Sequence, residues 1–410
     1  MTAPTAPTAP TAPTARTARR GLVALSAAVL VTVALTEPAR ASGAPDDHRR
    51  TERAMAETVA NGAPGVTAQV RDRAGNWQAA VGVGDLRTGR PRGADDRYRI
   101  GSVTKTFVAT VLLALEAEGR VDLDDTVDHW LPGLVRGDGH DGRRITVRQL
   151  LNHTSGVRDY TADPEFRRWH FQDPGFFTHR FDTLAPRTLV RTALSGPAAF
   201  APGATWGYSN TNYVLAGLVI EAVTGRPYGD AVRDRIIRPL GLRATSVPGA
   251  DPHVPGPSGR GYGRLSPHPG ATSVHDVTLL NPSMAYAAGE MISSSADLTR
   301  FFAALLHGDL LPARQLTAMT TTVPTGLPSR ARYGLGIASV PTGCGLRLWG
   351  HGGGIPGSST RTLSTRDGGH ALAYNLNADW LGGGAIEEAE FCGGARSGGR
   401  GPGQRGNTTT

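Results

Sequence analysis

Ile100-Gly101-Ser102-Val103-Thr104-Lys105-Thr106-Phe107 holds the only lysine in a chain of 410 residues, whose other 42 fixed cations are all arginine. A guanidinium keeps its proton in any protein environment, whereas a buried amine can lose it and act as a base. A chain that uses arginine everywhere else and keeps one amine is expected to use that amine as a titratable group.

Ser102 stands three positions before Lys105 at the head of a segment patterned as a helix. Phe107, Val108, Val111, Leu112 and Leu115 make an apolar stripe at helical spacing, and Gly119 is the expected stop. Residues i and i+3 share one helix face, so the hydroxyl and the amine are expected side by side. The unpaired N–H groups and positive dipole end of such a helix would stabilise an anion developing on a substrate attacked by Ser102. The pair reads as nucleophile and base. Taken alone, four residues also fit an N-cap serine followed by a solvated lysine.

Working outward, the length fits one large domain or two, with enough chain for a sizeable core. The formal charge of +8 is concentrated at the ends: residues 1–41 carry a net +3 and residues 393–410 another +3, which leaves +2 for residues 42–392. A nearly neutral globular part argues against a nucleic-acid partner and against a basic surface-adhesion protein. Residues 1–41 read as a signal peptide. Ala-Pro-Thr repeats and Arg16, Arg19 and Arg20 precede the apolar run from Gly21 to Leu35, and Ala39-Arg40-Ala41 supplies small residues for cleavage. That run is short for a membrane span, although an uncleaved anchor is the alternative, and Arg19-Arg20 leaves the twin-arginine route open. The expected location is therefore outside the cytoplasm. Two cysteines, Cys344 and Cys392, suit an exported chain with one disulfide, the alternative being two buried thiols. A bridge closing that loop would contribute roughly 4 kcal/mol at most and tie the last helix to the sheet.

Strand patterns occupy both ends of the globular part, at Gly65 to Val70, Trp77 to Val83, Tyr333 to Val340, Leu346 to Trp349, Thr360 to Ser364 and His370 to Leu376. Helical patches fill the middle, among them Asn212 to Thr224, Tyr228 to Arg238 and Ala296 to His307, and a helix around Ile386 to Phe391 closes the fold. The fold class is α/β of the α+β kind: one antiparallel sheet built from both termini, flanked by helices, with an inserted all-helical region. Residues 42–392 make the catalytic domain, and the Gly/Arg-rich residues 393–410 read as a disordered tail.

Two further stretches carry polar chemistry. In Trp206-Gly207-Tyr208-Ser209-Asn210-Thr211-Asn212-Tyr213 the phenol of Tyr208 can shuttle a proton, and Asn210 can bond both Lys105 and a substrate amide. An asparagine helix cap and a half-buried aromatic are the plain structural alternatives. Trp349-Gly350-His351-Gly352-Gly353-Gly354-Ile355-Pro356-Gly357 combines dense glycine, which permits close backbone approach, with a single polar group, His351; a mobile hairpin is the alternative. No His-Glu-x-x-His, Cys/His cluster, phosphate loop, dinucleotide fingerprint or Gly-x-Ser-x-Gly elbow occurs, so neither a metal nor a cofactor is expected.

Together these stretches, with Ile145-Thr146-Val147-Arg148-Gln149-Leu150-Leu151-Asn152-His153-Thr154-Ser155-Gly156 and Gly289 to Leu298, resemble the serine β-lactamase and penicillin-binding superfamily. The branch most similar is that of secreted D-alanyl-D-alanine carboxypeptidases related to class C β-lactamases. The resemblance implies a sheet, an all-helical region and a site in the cleft between them. Ser102 would be acylated, Lys105 would be the general base, and Tyr208 would relay the proton. Asn210, His351, Gly352, Gly353 and Gly354 would bind substrate, with His351 where many relatives have lysine. The backbone N–H groups of Ser102 and Gly354 would form the oxyanion hole, and both cysteines fall where that branch has a disulfide. Implied partners are peptidoglycan stem peptides or small acyl substrates, with β-lactams as covalent inhibitors or substrates, acting on a monomer.

The departures weaken one part of the resemblance. Gly352 and Gly354 replace threonines of that branch, and Gly336-Ile337-Ala338-Ser339-Val340 lacks its arginines, which would remove roughly 1.5–3 kcal/mol of carboxylate recognition per lost contact. Arg361, on a neighbouring strand, is the candidate replacement. The expectation is an exported D-Ala-D-Ala carboxypeptidase; an esterase or β-lactamase on the same machinery is the alternative, and a non-turnover β-lactam sensor the more remote one.

Overall fold

The computed structural model describes residues 48–393 except 267 and 269. The expected signal peptide and the tail beyond Gly393 lie outside the described residues. Nine strands form one antiparallel sheet: β1 (Gly65–Asp72), β2 (Gly75–Asp85), β3 (Arg90–Pro91), β4 (Val323–Pro324), β5 (Arg332–Tyr333), β6 (Ala338–Pro341), β7 (Arg347–Ile355), β8 (Ser358–Ser364) and β9 (Ala371–Leu376). Their order is β4-β5-β6-β7-β8-β9-β1-β2-β3, so the C-terminal strands pair with the N-terminal ones through β9 and β1, with Ala68 opposite Tyr374.

Alternation along β1 sends its side chains to two different layers. Val66, Ala68 and Val70 are buried with Met55 and Ile386, beneath helices α1 (His48–Ala60) and α5 (Gly384–Cys392). Gln69 points the other way and donates to Thr299 on α4 (Ser295–His307). Beyond α4 lies the large core of the helical region, centred on α2 (Thr104–Ala117) and α3 (Asn210–Thr224). The helix α2 is buried nearly all round, with Phe107 stacked on Phe301 at 3.7 Å, so the stripe read from sequence understates how central it is.

The two ends of the chain are tied together on the outer face. Glu390 on α5 accepts from Thr51 and from His48 on α1 and contacts His370 before β9. The Cys344–Cys392 disulfide, with Cα atoms 5.6 Å apart, joins the end of α5 to the β6–β7 turn, as the two-cysteine pattern led one to expect. Among the described residues no helix is long and apolar enough to cross a membrane.

One local reading is settled and one changes. The glycine-rich stretch is ordered strand, the alternative of a mobile hairpin being set aside: Gly350–Gly354 continues β7 in the middle of the sheet, and Pro356-Gly357 makes the tight turn into β8. The segment from Tyr333 to Val340 is two strands rather than one, broken at Gly336, whose φ of +72° turns the chain.

Candidate active site

Ser102 sits in the 3₁₀ turn Gly101–Val103 that feeds α2, and Lys105 in the first turn of α2. Gly101 has φ +50°, and a Cβ there would lie 2.8 Å from the backbone of Gly354, so β7 packs directly on the turn that carries Ser102. A Cβ on Gly353 would come within 1.9 Å of the Ile100 carbonyl and 2.9 Å of the Ser102 amide nitrogen, which explains why that position is glycine. At Gly354 a Cβ would meet nothing within 4 Å. The turn and strand thus set the amides of Ser102 and Gly354 on facing pieces of backbone.

Lys105 is fully buried and its Nζ has three oxygen neighbours: Ser102 Oγ at 2.9 Å, Asn210 Oδ1 at 2.7 Å and the Ala288 carbonyl at 2.7 Å. Two of these can only accept. A neutral amine has two N–H bonds and one lone pair, so donating to Asn210 and Ala288 leaves the lone pair for the Ser102 hydroxyl proton. Burial pushes the lysine pKa down to about 7, against an opposing pull from the charge of Asp159, so the neutral form is well populated near neutrality.

Asp159 also fixes which way Asn210 points. The Asn210 Nδ2 donates to Asp159 Oδ2 at 3.0 Å and to Thr161 Oγ1 at 3.2 Å, and because a carboxylate only accepts, the amide oxygen is left facing Lys105. Tyr208 lies on the loop before α3 and is 36% exposed as a residue, while its hydroxyl end is enclosed beside Ser102 and Lys105 Nζ is 4.9 Å from the ring centre. That enclosure raises the phenol pKa, opposed by a hydrogen bond with Ser102, so Tyr208 stays protonated where Lys105 does not.

His351 is buried on β7, with Nδ1 2.5 Å from the Gly352 carbonyl and Nε2 2.7 Å from the Tyr333 hydroxyl. Nδ1 therefore carries the proton and Nε2 accepts from the tyrosine. Burial first, then the nearby Lys105, push the imidazole pKa down to about 3, so this position presents a neutral ring. Gly352 points to the other face of the sheet, where a Cβ would meet Arg361 at 3.2 Å. Arg361 itself pairs with Glu387 of α5 at 3.1 Å, away from the cleft, and is no replacement for a carboxylate-binding arginine there.

Of the residues expected from sequence, Ser102, Lys105, Tyr208, Asn210, His351, Gly353 and Gly354 converge on one place, and Gly352 does not face it. Cys344 and Cys392 lie at the far end of β7. Asp159, Tyr333 and His153 went unread. His153, at φ +62°, accepts from the Ser209 amide and Asn212 Nδ2, and its ring packs 4.3 Å from that of Tyr208, so it positions the Tyr208–Asn210 loop. Its place in Leu151-Asn152-His153-Thr154 was visible, but its reach across the sequence to Ser209 was not. Among the described residues no group of His, Cys, Asp and Glu is arranged to hold a metal ion.

The family model described as Beta-lactamase matches residues 49–389. The chain belongs to that family. It is a serine hydrolase of the β-lactamase and penicillin-binding superfamily. A D-stereospecific amidohydrolase from Streptomyces sp. is 56% identical, with a TM-score of 0.81, covering 85% of this chain and all (100%) of that one. The D-amino acid amidase from Ochrobactrum anthropi SV3 is 29% identical with a TM-score of 0.74, over 84% of this chain and 99% of the other. Penicillin-binding protein 4* of Bacillus subtilis (strain 168) is 28% identical over 74% of this chain. The chain spans 65% of that protein's length, and no more than that of the other curated relatives it most resembles.

Proposed function

We propose that this chain is an exported serine amidohydrolase that cleaves amides of D-amino acids through an acyl-enzyme on Ser102. Lys105 takes the Ser102 proton as the hydroxyl attacks the carbonyl, and the amides of Ser102 and Gly354 hold the oxyanion. Tyr208, protonated and beside Ser102, passes a proton to the departing amine. Water then attacks the ester, with the same groups running in reverse. Gly353 lets the Ser102 turn pack against the strand, Gly354 leaves room for the acyl group, and Asn210 bonds its amide. The apolar run behind Arg16, Arg19 and Arg20, together with the disulfide, supports export.

The observation that carries the choice of substrate is His351, a neutral imidazole locked by Tyr333 at the position where many relatives have lysine. With Gly352 turned away, Gly354 bare and Arg361 engaged by Glu387, little beside the cleaved bond would grip a terminal carboxylate. An uncharged amide leaving group suits such a cleft. The 56% identical D-stereospecific amidohydrolase supports the same reading.

The D-Ala-D-Ala carboxypeptidase expected from sequence is the second reading, favoured by the similarity to Penicillin-binding protein 4* over 74% of the chain. Side-by-side assays with D- and L-phenylalaninamide, a D-Ala-D-Ala peptide and a short-chain ester separate the possibilities. The amidohydrolase reading expects ammonia from the D-amide at least about tenfold faster than from the L-amide. Release of D-alanine outrunning amide cleavage would replace it with the carboxypeptidase reading, and ester hydrolysis alone would point to an esterase.

A further inference from the structure

The cleft at Ser102 does not end at the reacting atoms. A cavity of about 220 Å³ lined by Ser102, Asn210, Thr161 and Ala288 runs into a second one of about 580 Å³, the two sharing Arg167, Phe171, Gly354 and Ile355 as walls. Tyr208 and His351 line neither. If Tyr208 protonates the leaving group, that group departs on the Tyr208 side, and the two chambers take the half of the substrate that stays on Ser102.

The outer chamber is unevenly charged. Arg167, exposed on the helix Pro164–Phe171, and Arg264 both line it, and neither makes an ion pair within 4.0 Å of a described carboxylate. Arg264 lies over the Trp380 ring with its guanidinium carbon 5.1 Å from the centre, and its Nε is buried without a hydrogen-bond partner. Asp379 is the one carboxylate among the described residues of this lining; it accepts the backbone N–H of Gly357 at 3.0 Å and also that of Arg264, and its charge lies within electrostatic reach of the Arg264 guanidinium, so the two arginines outnumber it. Two arginines, one with its guanidinium over an aromatic ring, therefore border a space large enough for a side chain or a further residue. A planar guanidinium matches a carboxylate better than any other common group.

We infer that the outer chamber is an acyl-side subsite for a carboxylate, so that this hydrolase prefers acyl groups carrying an acidic function beyond the residue esterified to Ser102. The inference rests on the acyl-enzyme reading above and names the acyl half that the reading left open. It also separates two kinds of carboxylate: one on the leaving group, for which the cleft has little grip, and one on the acyl side, for which it has two arginines.

The test compares N-succinyl- and N-butanoyl-D-phenylalanine p-nitroanilide, which differ chiefly by a terminal carboxylate, on wild type, Arg264→Gln, Arg264→Lys and Arg167→Gln. The expected kcat/KM ratio of succinyl to butanoyl is about tenfold in wild type, shrinking with added salt. It falls toward unity in Arg264→Gln, is partly kept in Arg264→Lys, and drops in Arg167→Gln, whose exposed site leaves the core untouched. A wild-type ratio at or below one, or a ratio indifferent to both glutamine variants, overturns the inference. If neither anilide is cleaved, the amide reading fails instead. The ratio of their dissociation constants on Ser102→Ala, measured by calorimetry, then decides the subsite by itself, with the same tenfold preference expected and its absence fatal.

Discussion

The proposed chemistry is concentrated in the surroundings of one amine. Lys105 Nζ is held by two oxygens that can only accept, and that arrangement aims its lone pair at Ser102. Replacing it by arginine fixes a positive charge there and removes the base, so Lys105→Arg is expected to lower kcat/KM by about 10²–10⁴ above neutrality, by less toward acid, and to erase the rise through neutrality. A stopped-flow profile of the variant checks this. Asp159 works on the same amine from one bond further away. Its charge raises the Lys105 pKa and its oxygens orient Asn210, so Asp159→Asn is expected to move the rising limb to lower pH while reducing the rate about tenfold. A limb that stayed in place would show that Asp159 acts through packing alone. The amine was legible in sequence because it is the only lysine; Asp159 and Tyr333 were not, since their partners Asn210 and His351 lie 51 and 18 positions away and no local spacing announces such contacts.

At the scale of elements, the site depends on how closely β7 can approach the turn before α2. Gly353→Ala drives a methyl into the Ile100 carbonyl, so it is expected to cost about 1–3 kcal/mol or more of stability and to displace Ser102 from the strand. Gly354→Ala faces open space and is expected to melt within about a degree of wild type. Thermal melts of the pair check the contrast. The element readings went furthest wrong where local pattern and tertiary role disagree. Glycine-rich β7 left a mobile hairpin open as an alternative because glycine lacks strand propensity, yet it is a central strand, and the close backbone approach that its glycines permit is what lets the turn in. Helix α1 escaped notice because it buries small and polar residues, His48, Thr51, Ala54 and Thr58, with Met55 as its one large apolar anchor. By contrast, the strands near both termini and the helices between them were plain, since alternation and helical spacing there coincide with burial.

Across the whole molecule, the sheet joins the two ends of the chain and keeps the tie far from the chemistry. The disulfide closes at the turn before β7, opposite the end that meets Ser102, so Cys344→Ser with Cys392→Ser is expected to lose up to about 4 kcal/mol and several degrees in Tm while kcat on a D-amide holds. Calorimetry beside an activity assay reads both. In the proposed mechanism a neutral lysine draws the proton from Ser102 to form an acyl-enzyme. The most direct measurement is rapid-quench intact-mass detection of that adduct as a function of pH, with wild type and Ser102→Ala in parallel. The predicted result is an acyl adduct on the wild type alone, forming at a rate that rises about tenfold per pH unit below the Lys105 pKa of about 7 and levels off above it. An adduct that persists in Ser102→Ala, or a rate flat across neutrality, would contradict it.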